Sequence, residues 1–283
     1  MFEESESSSF ISTQPGPTTI SGESEDVRRR SIRSRCDTSE KEGIEVLDTV
    51  TGLVVTQRVD LLEVFTSIDM NNRYDVRAPT GDQLFFAYEK SPCLIRCCMG
   101  KRHGFIMHVI DNNGKEILSI KRKCKFCCCI SNEFAKLCAC CNCCKEFISV
   151  ESPPGNEIGS VDQTCGTKLK FDVFDGNERI ANVVGPSYCG MGCCTCCSPR
   201  KVFTIHSNDG EQVGVIIKKF GGVFKELFTN ADVFHVKYFF MQSTRFFSHR
   251  LHLPVPVDMS VQGKALLLST VFLIDYVAFE DTN

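Results

Sequence analysis

Residues 262–280 read QGKALLLSTVFLIDYVAFE. No charge occurs from Ala265 to Ile274, and Asp275 is the only one between Ala265 and Glu280. Leu266, Leu267, Leu268, Val271, Phe272, Leu273, Ile274, Tyr276, Val277 and Phe279 leave almost no polar face at the helical repeat. Ser269 and Thr270 are the only polar interruptions before Asp275. A helix that is apolar all round lies either in a core or in a membrane. A span needs about 20 mostly apolar residues, and runs of about 10–14 are more often core helices. Asp275 would also be costly at a bilayer centre. Length and charge favour the core reading, with a membrane span as the alternative. A core helix that is apolar on every side needs a wrapper, and the preceding chain must supply it.

With 283 residues, the chain can bury a large core. Lys and Arg total 32 against 35 Asp and Glu, so the overall charge makes no case for a nucleic-acid partner. The start, Met1-Phe2-Glu3-Glu4, has no apolar secretory segment. No Gly follows Met1, and Glu280-Asp281-Thr282-Asn283 holds no prenylation Cys. These features predict a cytosolic chain. Its 19 cysteines are then unusual, because a reducing compartment disfavours disulfides.

Residues 1–43 are rich in Ser, Thr and Glu and are expected to be a disordered tail. Residues 44–283 form the expected folded domain, with a C-terminal helix at 262–280. Its opening, residues 44–70, alternates short apolar runs: Ile44–Leu47, Leu53–Val55 and Leu61–Phe65. They read as short strands with one helical turn. Tyr74-Asp75-Val76 is a strand, Pro79–Asp82 a turn, and Leu84–Tyr88 the returning strand. Phe105–Ile110 and Ile117–Ile120 flank Asp111-Asn112-Asn113-Gly114, and Asn-Gly is a strong hairpin signal. The same order then recurs. Phe171-Asp172-Val173 repeats Tyr74-Asp75-Val76, and the run from Phe203 to Gly210 repeats Phe105 to Gly114 with a small gap. Val213–Ile217 ending in Lys218 repeats Ile117–Ile120 ending in Lys121. Paired cysteines precede each hairpin: Cys97-Cys98, then Cys193-Cys194 and Cys196-Cys197. This is an internal duplication. Two β halves related this way can close into one antiparallel barrel, which removes the sheet edges. A mainly β barrel around the apolar helix satisfies both features at once.

The densest cysteines are Cys124, Cys127, Cys128 and Cys129, then Cys138, Cys140, Cys141, Cys143 and Cys144. Zinc takes four thiolates or imidazoles, commonly from C-x2-C pairs, and Cys124/Cys127 with Cys140/Cys143 has that spacing. The cluster holds more thiols than one such site uses. S-acylation has no geometric limit and needs only exposed thiols near a membrane. Lys121, Arg122, Lys123 and Lys125 flank the cluster, and a basic patch strengthens a lipid anchor. Acylation is the preferred reading, with zinc and unmodified thiols as alternatives.

These residues resemble the phospholipid scramblase family over about residues 44–280. The resemblance rests on Leu61-Leu62-Glu63-Val64 with Asn71-Asn72-Arg73-Tyr74, then Ile110–Glu116. It continues through Cys140-Cys141-Asn142-Cys143-Cys144 with Pro153-Pro154-Gly155, Phe228–Asp232 and Phe272–Glu280. It implies a tubby-like fold: a closed antiparallel β-barrel, in two duplicated halves, around a central C-terminal helix. It also implies palmitoylation at Cys140, Cys141, Cys143 and Cys144, with Cys127, Cys128 and Cys129 as a weaker match. The calcium segment it implies maps onto Asn230–Phe234 and Pro256-Val257-Asp258, with Asp232 and Asp258 as the ligands. Asn230 replaces a carboxylate there. An aromatic and basic run at about Lys237–Leu253 splits that segment, so calcium binding is expected to be weak or absent. Such a run is either a membrane-dipping loop or a translated non-coding stretch. The implied nuclear-import segment maps near Gly214–Val223, where only Lys218 and Lys219 are basic.

The resemblance implies phospholipid movement between leaflets on the cytoplasmic face of the plasma membrane, without ATP and without enzymatic catalysis. No G-x-x-x-x-G-K-[ST] loop is present to power an active flippase. The expected partner is a phospholipid membrane, with a homo-oligomer or protein partners beside it. The alternative is a lipid-anchored binding module of the same fold that does not scramble. A hydrolase has little support, because His103, His108, His206, His235, His249 and His252 are scattered and no G-x-S-x-G occurs. Replacing Cys140, Cys141, Cys143 and Cys144 by Ser is expected to move the protein from the membrane to the soluble fraction. Hydroxylamine-sensitive acyl labelling of the parent, lost in the variant, checks this; stoichiometric zinc without acyl label would refute it.

Overall fold

The computed structural model of the chain describes residues 42–58, 71–91, 103–124, 145–187, 200–219, 232–239 and 259–279. The chain divides into Met1–Glu40 and Lys41–Asn283. The first unit lies outside the described residues, as does the expected tail except for Glu42 and Gly43, the latter opening a helix; Leu61–Phe65 also lies outside them.

A 3-10 helix, Gly43–Thr49, opens the domain. The strands follow as β1 (Gly52–Arg58), β2 (Arg73–Arg77), β3 (Gln83–Lys90), β4 (Phe105–Asp111), β5 (Glu116–Arg122) and β6 (Phe147–Glu151). The second set is β7 (Glu157–Thr164), β8 (Lys168–Asp175), β9 (Glu178–Ser187), β10 (Arg200–Ser207), β11 (Gln212–Lys219) and β12 (Val233–Tyr238). The helix α1, Val261–Ala278, ends the fold. Each strand pairs with its sequence neighbours, and β12 returns to β1, with Leu53 opposite Val236 and Val55 opposite Phe234. The result is a closed antiparallel barrel of 12 strands. Alternation sets the inner wall: Phe105, Met107 and Val109 of β4 are buried, while His108 and Ile110 face outward.

Small barrels fill with their own side chains, and wider ones leave a lumen. Here α1 occupies that lumen, with an unbroken buried run from Gly263 to Val277. Length and composition would let this helix cross a membrane, but the barrel wall encloses it. The core reading is therefore the correct one. Ser260 caps the helix, its Oγ accepting the Gly263 N–H at 3.0 Å. The hydroxyls of Ser269 and Thr270 donate back to the carbonyls of Ala265 and Leu266, at 2.9 and 2.8 Å. Their polarity is thus satisfied inside the helix. Lys264 Nζ donates to the carbonyls of Leu47, Asp48 and Val50 at 3.1–3.3 Å. That ties the helix start to the 3-10 turn. Where β7 meets the helix, a Cβ at Gly159 would lie 2.0 Å from the Phe174 carbonyl and 3.0 Å from Leu266.

The duplication is visible in the backbone. Register shifts fall at Val76/Arg77 and again at Val173/Phe174, then at Val109/Ile110 and again at Ile205/His206. The hairpin glycines Gly114 and Gly210 both sit at positive φ, 79° and 80°. Aligned on those turns, Lys218 corresponds to Arg122, since Arg122 pairs with Phe105 and Lys218 with Lys201. The expected match of Lys218 to Lys121 is one residue off. Ile44–Leu47 lies in the 3-10 helix, which supplies the one helical turn expected in this opening, because Leu47 must turn into the core beside Lys264. One further expectation fails. Lys237 and Tyr238 belong to β12, pairing with Gly52 and Gly214, so the split run cannot begin at Lys237.

Leu268 is fully buried at the helix centre. Leu268→Arg is expected to unfold the domain, losing more than about 4 kcal/mol by burying an unpaired charge. Leu268→Ala should cost about 2–5 kcal/mol. Denaturant melts of the two variants check this, and unchanged midpoints would refute it.

Candidate functional site

Antiparallel alternation gives the barrel two distinct rims. At the rim beside the helix start, tight turns join the strands; Ala78–Asp82, Asp111–Lys115, Ser152–Asn156 and Ser207–Glu211 close on backbone hydrogen bonds of 2.8–2.9 Å. At the rim beside the helix end, the long connections leave and return: those after β1, β3, β5, β9 and β11. In sequence, every cysteine beyond Cys36 lies in a connection whose flanking strand ends are at this loop rim. Cys124 is half-buried and Cys165 exposed. Cys127, Cys128, Cys129, Cys140, Cys141, Cys143 and Cys144 lie outside the described residues; their connection departs after Arg122 and rejoins before Phe147.

The basic run beside these cysteines is not a free patch. Lys121 pairs with Glu151, and Arg122 is buried. Arg122 Nε donates to Glu146 Oε2 at 2.8 Å, and its guanidinium lies 4.4 Å above the Tyr276 ring. Lys123 is exposed, and Lys125 lies outside the described residues.

Inside the loop rim, the second copy of this arrangement meets the helix end. Lys218 is buried and pairs with Asp232, the residue just before β12. Glu146 stands just before β6 in the same way. Lys218 Nζ lies 3.5 Å from the Phe279 ring centroid and 4.0 Å from Asp275 Oδ1. Tyr74 donates its hydroxyl to Asp275 Oδ2 at 2.7 Å. Asp275 Oδ1 is buried without a hydrogen-bond partner among the described residues. Burial and then the neighbouring Asp232 push the Asp275 carboxyl well above its usual range, against Lys218 and Tyr74. Beside this cluster, Glu89 accepts from Ser91 at 2.8 Å and from Asn72 at 2.9 Å, with His103 at 3.1 Å. Burial pushes Glu89 up, but the His103 and Ser91 bonds outweigh it and hold the carboxyl below its usual range.

This geometry tests the implied calcium segment. Calcium takes six to eight oxygen ligands, mostly carboxylates and carbonyls. The Asp232 carboxylate is already paired with the Lys218 ammonium, and a divalent cation there would face that charge. Among the described residues, no group of three or more His, Cys, Asp or Glu is placed to hold a metal. Asp232 does not fit a calcium ligand in this arrangement; Asn230 and Asp258 lie outside the described residues. The histidines fit their ordinary readings. His108 Nδ1 lies 2.6 Å from Glu116, and His206 Nε2 lies 2.9 Å from Thr204. His249 and His252 lie outside the described residues.

The chain belongs to the scramblase family, whose match covers residues 31–281. It is 32% identical over 246 residues to "Phospholipid scramblase 1" of Homo sapiens, covering 85% of this chain and 67% of that protein. It is 31% identical over 245 residues to "Phospholipid scramblase 2" of Bos taurus, covering 85% and 72%. With "Phospholipid scramblase family member 5" of Homo sapiens it shares 28% over 244 residues, 84% of this chain and 77% of that protein. It spans 65% of the length of "Phospholipid scramblase 1" of Mus musculus. No solved structure matches.

Sequence reasoning missed the buried cluster of Lys218, Asp232, Asp275 and Tyr74. An acid inside an apolar helix was the signal that pointed to it, because a buried carboxylate needs partners. Asp275 contributes stability that is complete below its usual value of 3.8 and is lost as pH rises through its raised folded value. Asp275→Asn removes that titration. The variant is therefore expected to gain on the parent as pH rises from acid to neutral. Denaturant melts across that range check it, and a pH-independent difference would refute it.

Proposed function

We propose that this chain docks on a phospholipid membrane through its loop rim and acts there as a scramblase, moving phospholipids between leaflets without ATP. Family membership supports the lipid as the substrate. The observation that carries the docking geometry is that every cysteine beyond Cys36 lies, in sequence, in a connection whose flanking strand ends are at one rim. S-acylation at Cys140, Cys141, Cys143 and Cys144, joined by Cys127, Cys128 and Cys129, would place several chains on that face. Several chains hold a protein stably where one holds it marginally. With Lys121 and Arg122 engaged internally, the thiols carry most of the anchoring. The cytoplasmic face of the plasma membrane is the proposed site of action. The role is transport rather than catalysis of a covalent reaction, and calcium is not required, given the Lys218–Asp232 pair.

The enclosed helix favours a second reading, a lipid-anchored binding module acting through protein partners. A headgroup needs a polar path through hydrocarbon, because unsatisfied polar groups there cost several kcal/mol. A helix sealed inside its own barrel provides none. Scrambling therefore requires an oligomer or a path along the barrel's outer wall. Reconstitution of the purified full chain into liposomes decides between the readings. Labelled lipid is expected to equilibrate between leaflets without ATP, at a rate that added calcium leaves unchanged. Vesicle binding without equilibration would sink scrambling and leave the binding module.

A further inference from the structure

The outer wall of β1–β3 carries a recess of about 470 Å³ close to the loop rim. Alternation along β3 turns Phe85, Ala87 and Glu89 inward and leaves Phe86, Tyr88 and Lys90 on the outer face. Phe86 and Tyr88 stack at 6.1 Å and form the floor. Three cations stand around it: Arg58, Arg73 and Lys90. Arg58 lies 5.0 Å above the Phe86 ring and is held by two bonds to Asp75, at 2.7 and 2.8 Å. Among the described residues, no carboxylate pairs with Arg73 or Lys90. Glu89 also lines the recess, but its oxygens are committed to Ser91, Asn72 and His103.

The duplicated wall has no such feature. Strand pairing sets Asn182 opposite Asp172, as Phe86 is opposite Asp75. It sets Val184 opposite Lys170, as Tyr88 is opposite Arg73. Asn182 spends its amide on Asp172 at 2.7 Å. The aromatic floor therefore belongs to one half alone, and the barrel itself does not demand it.

We propose that this recess binds the phosphate of an anionic phospholipid headgroup. Arg73 and Lys90 hold the phosphate, Arg58 closes the rim, and the glycerol lies on Phe86 and Tyr88. Arginine forks match phosphate oxygens geometrically. The apolar floor suits a ligand that is anionic at one end and greasy at the other, and aromatic side chains with polar tips favour the membrane interface. A polymer of phosphates would need a long basic track, and the chain's net charge is −3. The proposal rests on the reading that the loop rim faces the bilayer.

The test is cosedimentation of the full chain, free of acyl groups, with phosphatidylcholine vesicles containing or lacking phosphatidic acid. The parent is expected to bind the acidic vesicles. Arg73→Ala with Lys90→Ala should weaken that binding roughly thirty-fold, the effect of two charges near a lipid surface. Lys168→Ala with Lys170→Ala, on the duplicated wall, should weaken it much less. Phe86→Asn, which leaves the charge unchanged, should also weaken it; a melt of each variant confirms the fold. Equal losses in the two double variants would leave membrane docking standing and overturn the site. Absence of any vesicle binding by this acyl-free parent would overturn the site and leave docking through the acylated thiols, which the cysteine variant tests separately. Glycerol 3-phosphate that displaces the protein from vesicles at its own low concentration would assign the recess to a soluble phosphate and overturn the lipid.

Discussion

Everything in this fold depends on the enclosure of α1 by the barrel. An all-round apolar helix cannot stand in water, and a wall lined inside by residues such as Val55, Phe85, Val109, Phe171 and Phe203 cannot favourably face a water-filled lumen. Each is the other's core. The two charged residues of the helix, Lys264 and Asp275, set its position along the barrel axis. Lys264 is bound by three carbonyls at the start and Asp275 by Tyr74 at the end. A slip of one turn in either direction would push one charge against the apolar wall and strip it of partners. Apolar burial supplies the driving force, and the two charges supply the register.

The same enclosure limits how the protein can meet a membrane. A helix used as the core is not available as a span. In the docking proposed above, membrane contact falls instead to the loop rim, where the strand ends are held by two related pairs of a buried cation with a half-buried acid, Arg122–Glu146 and Lys218–Asp232. Each cation also rests on an aromatic ring of the helix end, Tyr276 or Phe279. These pairs fix the strand ends, so that the connections between them can differ widely in length and composition without loosening the barrel.

The helix was legible because ten uncharged positions in a row admit few interpretations. The hairpins at Gly114 and Gly210 were legible from turn chemistry, and the duplication from their order. Strands β6, β7, β9 and β12 were not, because polar outward positions such as Ser149, Ser160 and Asn182 dilute the apolar signal of a half-buried strand. The inner cluster was hidden for a different reason. A bulge shifts the inward parity by one residue, as between Ile205 and His206. Lys218 therefore reads as half of a surface Lys218-Lys219 pair in the sequence, yet points into the barrel beside Asp232. Lys121 and Arg122 look alike in sequence, but alternation sends one outward to Glu151 and the other inward to Glu146. The pairing of Asp232 with Lys218 was likewise not legible, since sequence does not show which cation faces an acid.

Comparison of the two halves separates what the barrel needs from what its surface adds. The bulges, the hairpin glycines and the buried cation–acid pairs occur twice, so they answer to the geometry of closing a barrel on a helix. Phe86, Tyr88 and Lys90 occur once, opposite a wall that carries Asn182, Val184 and Pro186 at the related positions. An aromatic pair on an outer wall does not help the core, and it leaves apolar area in contact with water. Its presence in one half, ringed by Arg58, Arg73 and Lys90, breaks the internal symmetry without any structural requirement. In a duplicated fold, such a break is where a function distinct from folding is to be sought.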